Sequence, residues 1–261
     1  MGKPFIPENT LQSYQHAYKL GAKWVDMDLS ITSDGVVVIY HDFTVKNIPV
    51  WNMTFNQFKS KVKFPTVFEA VLNEADQHIN FAVEIKYPSI DEIKSENLGS
   101  APNLKDFVKK VIDIVKNKKG GNREVTFNSF EPDALVYIKK IAPHFNIFFD
   151  TEGLPNKFTD PRRNSLEEAI QFCLENDLQG IVTDTETITS NALQHTMTVH
   201  SQGLGLMLYF YRSFSKKTDY VEEITKFDCV GIDAIVVEDI PMALKILKNI
   251  TSCTYNDNYT E

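Results

Sequence analysis

The chain has 261 residues, of which 43% are hydrophobic and 24% are charged, and its formal net charge at pH 7 is −8. This hydrophobic fraction supports a globular core and excludes wholesale disorder. The acidic balance argues against a polyanion such as DNA, so we expect no nucleic-acid partner. The length fits one α/β barrel, and we expect a barrel domain over residues 1–250 followed by a tail over 251–261.

Cysteines and apolar runs indicate the compartment. The three cysteines, Cys173, Cys229 and Cys253, are far apart and lack a CxxC spacing, which favours reduced thiols and a cytoplasmic location. No apolar run approaches the roughly 18–20 residues of a membrane span. The first ten residues also lack the apolar core of a secretory signal. We therefore expect no transmembrane segment.

The amino terminus predicts a helix with no strand before it. The segment Glu8-Asn9-Thr10 leads at once into a helical face that starts at Leu11 and Tyr14. In an ordinary (β/α)8 barrel a strand precedes this helix. The pattern therefore predicts a barrel whose first strand is missing.

Short β-rich runs then alternate with helical stretches, which is typical of βα units around a parallel sheet. The predicted strands are residues 23–32, 80–87, 124–130, 146–151, 180–184, 205–211 and 231–237, with a companion run at 36–41 after a turn. Helices are predicted from Pro65 and over 103–116, 133–141, 165–175, 190–200 and 218–227, and loops over 88–103 and 153–164. Seven such strands predict an α/β fold of the TIM (β/α)8 type.

Acidic residues end two of the predicted strands, at the barrel edge where chemistry collects. Asp26 and Asp28 are two residues apart and share a strand face, and on another strand Glu84 shares its face with Lys86. Converging carboxylates repel unless a cation joins them, and oxygen ligands suit Mg²⁺ or Ca²⁺. Asp26, Asp28 and Glu84 are thus predicted metal ligands, with Lys86 offsetting charge on an anionic phosphoryl substrate. The alternative is two surface acids and an ordinary ion pair.

A histidine and a carboxylate, His41 and Asp42, end the companion run. A histidine near its unperturbed pKa can donate or accept a proton at neutral pH, and the adjacent acid can hold its ring. His41 is therefore a candidate acid/base group. Taken alone, the residue favours a structural histidine over a catalyst.

Together, these motifs resemble one family, the glycerophosphodiester phosphodiesterases, and within it the eukaryotic cytosolic glycerophosphocholine phosphodiesterases. The segments that carry the resemblance extend over nearly all the chain: Glu8-Asn9-Thr10, Val25-Asp26-Met27-Asp28, Tyr40-His41-Asp42, Val83-Glu84-Ile85-Lys86, Phe64-Pro65-Thr66, the run 123–130 and Gly231-Ile232-Asp233. No single piece is specific, whereas their combined order is.

The resemblance implies a TIM-barrel enzyme that uses a divalent cation to hydrolyse glycerophosphodiesters to glycerol 3-phosphate and an alcohol such as choline. It places the metal on the acids that match Asp26, Asp28 and Glu84. The match to His41 is one of two acid/base groups, and Lys86 neutralises phosphate.

By the same resemblance Glu8 lines the site, and Tyr209 stands where relatives present an aromatic wall. The family's site also begins with a His-Arg-Gly strand end, and residues 2–6 contain neither that histidine nor that arginine. Asp26 also stands where relatives usually have the longer glutamate.

Three functions stay open at this point. The first is a glycerophosphodiesterase acting on a small-molecule phosphodiester, with glycerophosphocholine as the favoured substrate. The second is a catalytically silent barrel that binds a phosphodiester or another protein. The third is a lysophospholipase D, for which aromatic residues such as Phe64 would supply an apolar rim. The oligomeric state is not predicted.

Overall fold

The computed structural model describes residues 6–118, 123–155, 157–210 and 217–250. The backbone divides into two compact units, Met1–Ile147 and Phe148–Glu261. The single barrel domain expected over residues 1–250 stays a prediction, and the expected tail at 251–261 lies outside the described residues.

The first unit holds six helices and seven strands in its described part. They are α1 Leu11–Lys19, β1 Trp24–Ile31, β2 Val37–Ile39, β3 Thr44–Val45, β4 Ile48–Pro49, α2 Phe55–Lys61, β5 Thr66–Val67, α3 Phe68–Glu74, β6 Asn80–Ile85, α4 Ile90–Ser95, α5 Leu104–Asn117, β7 Val125–Ser129 and α6 Pro132–Ile141. Strands β1, β6 and β7 pair in parallel, in the order β7-β6-β1. β2 and β5 continue that sheet with antiparallel pairing.

The second unit continues the alternation of strands and helices. Its elements are β8 Asn146–Thr151, which starts just before the boundary, α7 Leu166–Glu175, β9 Gly180–Asp184, α8 Thr185–Ile188, α9 Ala192–Ser201, β10 Gly205–Tyr209, α10 Lys217–Cys229, β11 Ala234–Ile235 and α11 Ile240–Asn249. Strands β8 to β11 pair in parallel in chain order. All seven predicted barrel strands are thus confirmed, five of them shorter than predicted, and the described residues before Leu11 form no strand.

A β-hairpin carries the companion strand back to the acidic end of β1. The turn uses Gly35 at a φ of 80°, a backbone conformation that favours glycine. β2 then pairs antiparallel to β1, with Leu29 opposite Ile39. Beyond the strand, the Tyr40 backbone N–H donates to the Asp28 carbonyl oxygen at 2.8 Å. The chain that leads to His41 therefore starts directly beside Asp28.

The segment after the hairpin packs around a small core of its own. Its buried members are Val38, Val45, Val50, Met53 and Phe58. The ring of Tyr40 meets that of Phe58 edge-on at 5.5 Å, which ties the end of β2 to α2. Thr54 caps α2 by accepting from the Gln57 N–H. This core holds the residues on both sides of His41 against β1.

One predicted loop is wrong, because residues 88–103 include helix α4. Ser89 caps this helix by accepting from the Glu92 N–H, and the Glu92 side chain accepts from the Ser89 N–H. This reciprocal pattern is a capping box, which the Ser-x-x-Glu spacing indicates in the sequence. Within the described ranges, no helix has both the length and the apolar character needed to cross a bilayer.

The cysteines differ from the expectation of three reduced thiols. Cys173 is free and buried. Cys229 is disulfide-bonded, so the absence of a CxxC spacing did not exclude a bond. The cytoplasmic location stays a prediction, and this bond does not favour it.

Candidate active site

Polar side chains form a row across three neighbouring parallel strands of the first unit. Asp28 on β1 pairs with Glu84 on β6, and Glu84 pairs with Asn128 on β7. All three are buried among apolar strand residues, with 9%, 8% and 9% of their surface exposed. Buried charges are costly unless a partner compensates them. The row is therefore the strongest candidate for a functional site in this unit.

Lys86 supplies a positive charge to the row. Its ammonium lies 3.0 Å from Oε1 of Glu84 and 4.0 Å from Oδ1 of Asp28, and all three side chains are about nine-tenths buried. The Phe43 ring lies 5.9 Å from the same ammonium. The predicted proximity of Lys86 to the acids is thus present in the structure.

The acids still carry more negative charge than Lys86 offsets. Burial raises the pKa of Glu84, the Lys86 ammonium opposes that rise, and Asp28 adds to it. Desolvation by surrounding protein and repulsion from Asp28 and Glu84 likewise raise the pKa of Asp26. Because Asp26 retains solvent access, the repulsion from two like charges is the firmer cause of its upward shift. A site of this kind stabilises an added cation.

His41 follows the backbone contact between Tyr40 and Asp28, and precedes Phe43, whose ring faces Lys86. Contacts on both sides therefore hold the His41 segment beside the row of acids. Its own side chain is 66% exposed, and Nδ1 lies 2.8 Å from Oδ1 of Asp42. A carboxylate on one ring nitrogen leaves the other nitrogen for proton transfer.

The segment before α1 also reaches the row. Asn9 adopts a φ of 54°, and its amide group donates to Oδ2 of Asp28 at 3.4 Å. The Tyr14 hydroxyl in turn donates to Oδ1 of Asn9 at 3.0 Å. Burial and the charges of Asp28 and Asp26 raise the pKa of Tyr14 well above its usual value, so this hydroxyl stays a proton donor. Glu8 is exposed, and its charge also contributes to the raised pKa values of Tyr14 and Tyr40.

A divalent cation fits the donor chemistry of the site. The three carboxylates of Asp26, Asp28 and Glu84 are hard oxygen ligands. Burial and the repulsion between them raise the pKa values of Asp26 and Glu84, and a bound cation would relieve that repulsion. Among the residues that the structure describes, no cluster of three acidic, histidine or cysteine side chains is drawn together as a set of ligands. Glu84 and Asp28 instead face Lys86. The assignment of the three acids as metal ligands therefore stays a prediction.

Sequence reasoning missed three residues of this region. Asn9, Tyr14 and Asn128 received no role in the sequence analysis. Tyr209, the predicted aromatic wall, is half-buried at the end of β10 in the second unit. Its role at the site stays a prediction.

Parallel strands that alternate with helices, with buried acids beside a lysine on two of the strands, define an α/β protein. The model of the glycerophosphoryl diester phosphodiesterase family matches residues 2–242. The chain belongs to this family of phosphoric diester hydrolases, which confirms the resemblance.

Several similar proteins carry names of the same family. The chain is 28% identical to a glycerophosphocholine phosphodiesterase of Schizosaccharomyces pombe, over 90% of this chain and 26% of that protein. It is 25% identical to a glycerophosphocholine phosphodiesterase of Candida albicans, over 98% of this chain and 28% of that protein. A glycerophosphodiester phosphodiesterase of Arabidopsis thaliana is 26% identical, over 90% of this chain and 72% of that protein. The chain thus spans about a quarter of the length of the two fungal relatives.

Solved structures confirm the TIM-barrel type of fold. A glycerophosphodiester phosphodiesterase from Parabacteroides distasonis superimposes with a TM-score of 0.70 at 19% identity, over 92% of this chain and 90% of that one. A phosphodiesterase from Oleispira antarctica, solved with sn-glycerol-3-phosphate, gives a TM-score of 0.68 at 17% identity, over 94% and 92%.

Proposed function

We propose that the protein is a metal-dependent phosphodiesterase that hydrolyses glycerophosphocholine to glycerol 3-phosphate and choline. The observation that carries this proposal is the buried group of Asp28 in the middle of β1, Glu84 near the end of β6 and Lys86 just after it. The names of the fungal relatives favour glycerophosphocholine among glycerophosphodiesters.

In the proposed hydrolysis, some residues would stabilise negative charge on the phosphoryl group and others would transfer a proton. A bond forms between a water oxygen and phosphorus, the bond from phosphorus to the choline oxygen breaks, and one proton passes from the water side to the leaving alcohol. Asp26, Asp28 and Glu84 would hold Mg²⁺ or Ca²⁺, which neutralises charge on the phosphoryl oxygens when bound. Lys86 would stabilise the charge that develops there in the transition state.

The proton transfer would fall to His41, because the backbone contact of Tyr40 with Asp28 holds its segment near the acids and Asp42 lies on one ring nitrogen of its exposed imidazole. Asn9 would keep Asp28 in place, and the neutral Tyr14 hydroxyl would keep Asn9 in place. Glu8 and Tyr209 would contact the rest of the substrate.

The test is choline release from glycerophosphocholine by the purified protein, with Mg²⁺ or Ca²⁺ and with a chelator. We expect turnover that requires the cation and that Lys86→Met abolishes, because a methionine keeps the side-chain length without the charge. Lys109→Met, at an exposed lysine of α5, is the matched control. Cation-independent turnover, or full activity of Lys86→Met, would contradict the proposal.

A silent, ligand-binding barrel is the second candidate. It is favoured by the lack of a three-ligand cluster within the described ranges. Binding of sn-glycerol 3-phosphate without turnover of any glycerophosphodiester would establish it.

A lysophospholipase D is the third candidate, favoured by a partly apolar groove beside the Glu8–Asn9 segment, whose lining also includes Thr10, Gln12 and Thr66. The groove has a volume of about 480 Å³ and its lining includes Pro7, Leu11, Phe64 and Pro65. Faster turnover of lysophosphatidylcholine than of glycerophosphocholine would favour this function.

A further inference from the structure

The segment around α2 differs in charge from the rest of this acidic protein. Residues 43–68 contain four lysines and no aspartate or glutamate, between Asp42 and Glu69. The whole chain, in contrast, carries a net charge of −8. A local positive patch on an acidic protein creates a surface field that its overall charge does not suggest.

One of those lysines lies next to an exposed aromatic ring, and two others precede it closely in the chain. Lys59 and Lys63 are exposed, Lys61 is half-exposed, and Phe64 is 42% exposed. The Lys63 ammonium lies 5.2 Å from the centre of the Phe64 ring. We call Lys59, Lys61, Lys63 and Phe64 the basic ridge. The core of this segment is supplied by other residues, such as Phe58, so Phe64 is not needed to complete it.

The basic ridge ends beside the candidate site. β5 pairs antiparallel with β2, with Val67 opposite Val38 and Thr66 opposite Ile39. Continuing this register by two residues brings Phe64 level with His41. Phe64 also lines the groove that Pro7 and Leu11 border on its other side. A ligand of the ridge would therefore adjoin the entrance to the acid–lysine group.

We propose that the basic ridge docks the protein on the surface of an anionic lipid bilayer. Lysines next to an exposed phenylalanine match such a surface, because the ammonium groups meet lipid phosphates and carboxylates while the ring enters the boundary with the acyl chains. The absence of acids from residues 43–68 supplies the charge complementarity. A bilayer contact here presents the candidate site to molecules released from, or held in, that surface.

The test is sedimentation of the full chain with vesicles of phosphatidylcholine, with and without phosphatidylserine, at low and at high ionic strength. We expect binding to the phosphatidylserine vesicles at low ionic strength and loss of that binding with salt or with phosphatidylcholine alone. Replacing Lys59, Lys61 and Lys63 by glutamine should lower the partition coefficient at least about ten-fold. A variant with glutamine at Lys94, Lys105 and Lys110, which are exposed elsewhere in the same unit, has the same net charge and should bind as the parent does.

Phe64→Ala separates a lipid surface from other polyanions. We expect it to weaken vesicle binding several-fold and to keep the thermal stability of the parent, since the ring is exposed. If Phe64→Ala binds vesicles as tightly as the parent, the lysines alone explain the binding. Any polyanion could then replace the lipid, and the proposal would be overturned. Equal losses in the two lysine variants, or no binding of the parent, would also overturn it. These measurements need no turnover, so they stand apart from the proposed hydrolysis.

Discussion

The Lys86 ammonium lies 3.0 Å from Oε1 of Glu84, at a depth where both side chains are nearly excluded from water. A buried ion pair of this kind is seldom a net source of stability, because desolvation offsets the attraction between the charges. Burial still raises the pKa of Glu84 despite the lysine. The arrangement is therefore better explained by ligand binding than by stability.

Removal of the His41 imidazole should lower catalysis and leave the fold intact. We expect His41→Ala to reduce turnover of glycerophosphocholine by about 10²-fold or more, the usual contribution of an acid/base group. The side chain is 66% exposed, so the free energy of unfolding should change by less than about 0.5 kcal/mol. His78→Ala is a matched control, since His78 is 63% exposed and its Nδ1 lies 2.9 Å from Asp76. An unchanged rate would give His41 a structural role.

Added cation should stabilise the protein through the acids of the site. At a Ca²⁺ or Mg²⁺ concentration of about 100 times its Kd, the free energy of unfolding should rise by about 2.7 kcal/mol. Asp28→Asn should lose most of this increase, which differential scanning calorimetry would measure. Asp113→Asn, at an exposed residue of α5, should retain it. An equal increase in Asp28→Asn would show that the ion binds elsewhere.

Stability without metal should depend on pH through Glu84. Burial raises the pKa of this carboxyl from 4.5 to about 7, so the folded state holds the proton more tightly than the unfolded state. The stability that the protonated form contributes is therefore fully present below the pKa of the unfolded state, 4.5, and is lost as the pH rises through the folded pKa of about 7. With a chelator present, Glu84→Gln should remove this loss and be more stable than the parent at pH 8 by about 1–3 kcal/mol.

Urea unfolding at several pH values measures that difference. Glu74→Gln, an exposed change at the end of α3, should keep the pH dependence of the parent. If the free energy of unfolding of Glu84→Gln falls with pH between 4.5 and 7 as steeply as that of the parent, ionisation of the buried Glu84 carboxyl is not the cause of the pH dependence.

Arg123 should be a main structural support of the first unit. Its guanidinium donates to the carbonyl oxygens of Leu72, Ala75, Asp76 and Ile79, at 2.8–2.9 Å. It also lies 4.2 Å from the centre of the Phe81 ring. Arg123→Ala should lower the free energy of unfolding by about 2–3 kcal/mol. Arg123→Lys should lose less of the free energy of unfolding than Arg123→Ala but still be less stable than the parent, because an ammonium cannot reproduce the planar set of guanidinium donors.

Arg162→Ala is the matched arginine control. Arg162 pairs with Asp160 at a partly exposed position, where an ion pair contributes less than about 1 kcal/mol. Equal losses in the two variants, measured by chemical unfolding, would contradict the supporting role of Arg123.

Much of the architecture followed from local patterns. The strand 146–151 and the strand 180–184 have the predicted ends, and α1 begins at the predicted Leu11, with Thr10 as its N-cap. Local patterns missed the β3–β4 hairpin, in which Thr44 pairs with Pro49 across a turn that holds Lys46 and Asn47 at positive φ. The usual sequence signal for such a two-residue turn is Asn-Gly or Asp-Gly, and Lys-Asn is not one of these pairs. Helix α11 was also missed, although Asp239 caps it by accepting from the Met242 N–H.

The sequence by itself determined the alternation of strands and helices, the family, and the presence of acids and a lysine at strand ends, because side-chain periodicity and motif order are local properties of the chain. Only the tertiary structure decided that Asp28, Glu84 and Asn128 stand in one row and that the Tyr40 backbone returns to Asp28. It also decided that Tyr14 and Asn9 support that acid. Strand register and hydrogen bonds between separate segments depend on how the chain packs, and no local pattern specifies that packing.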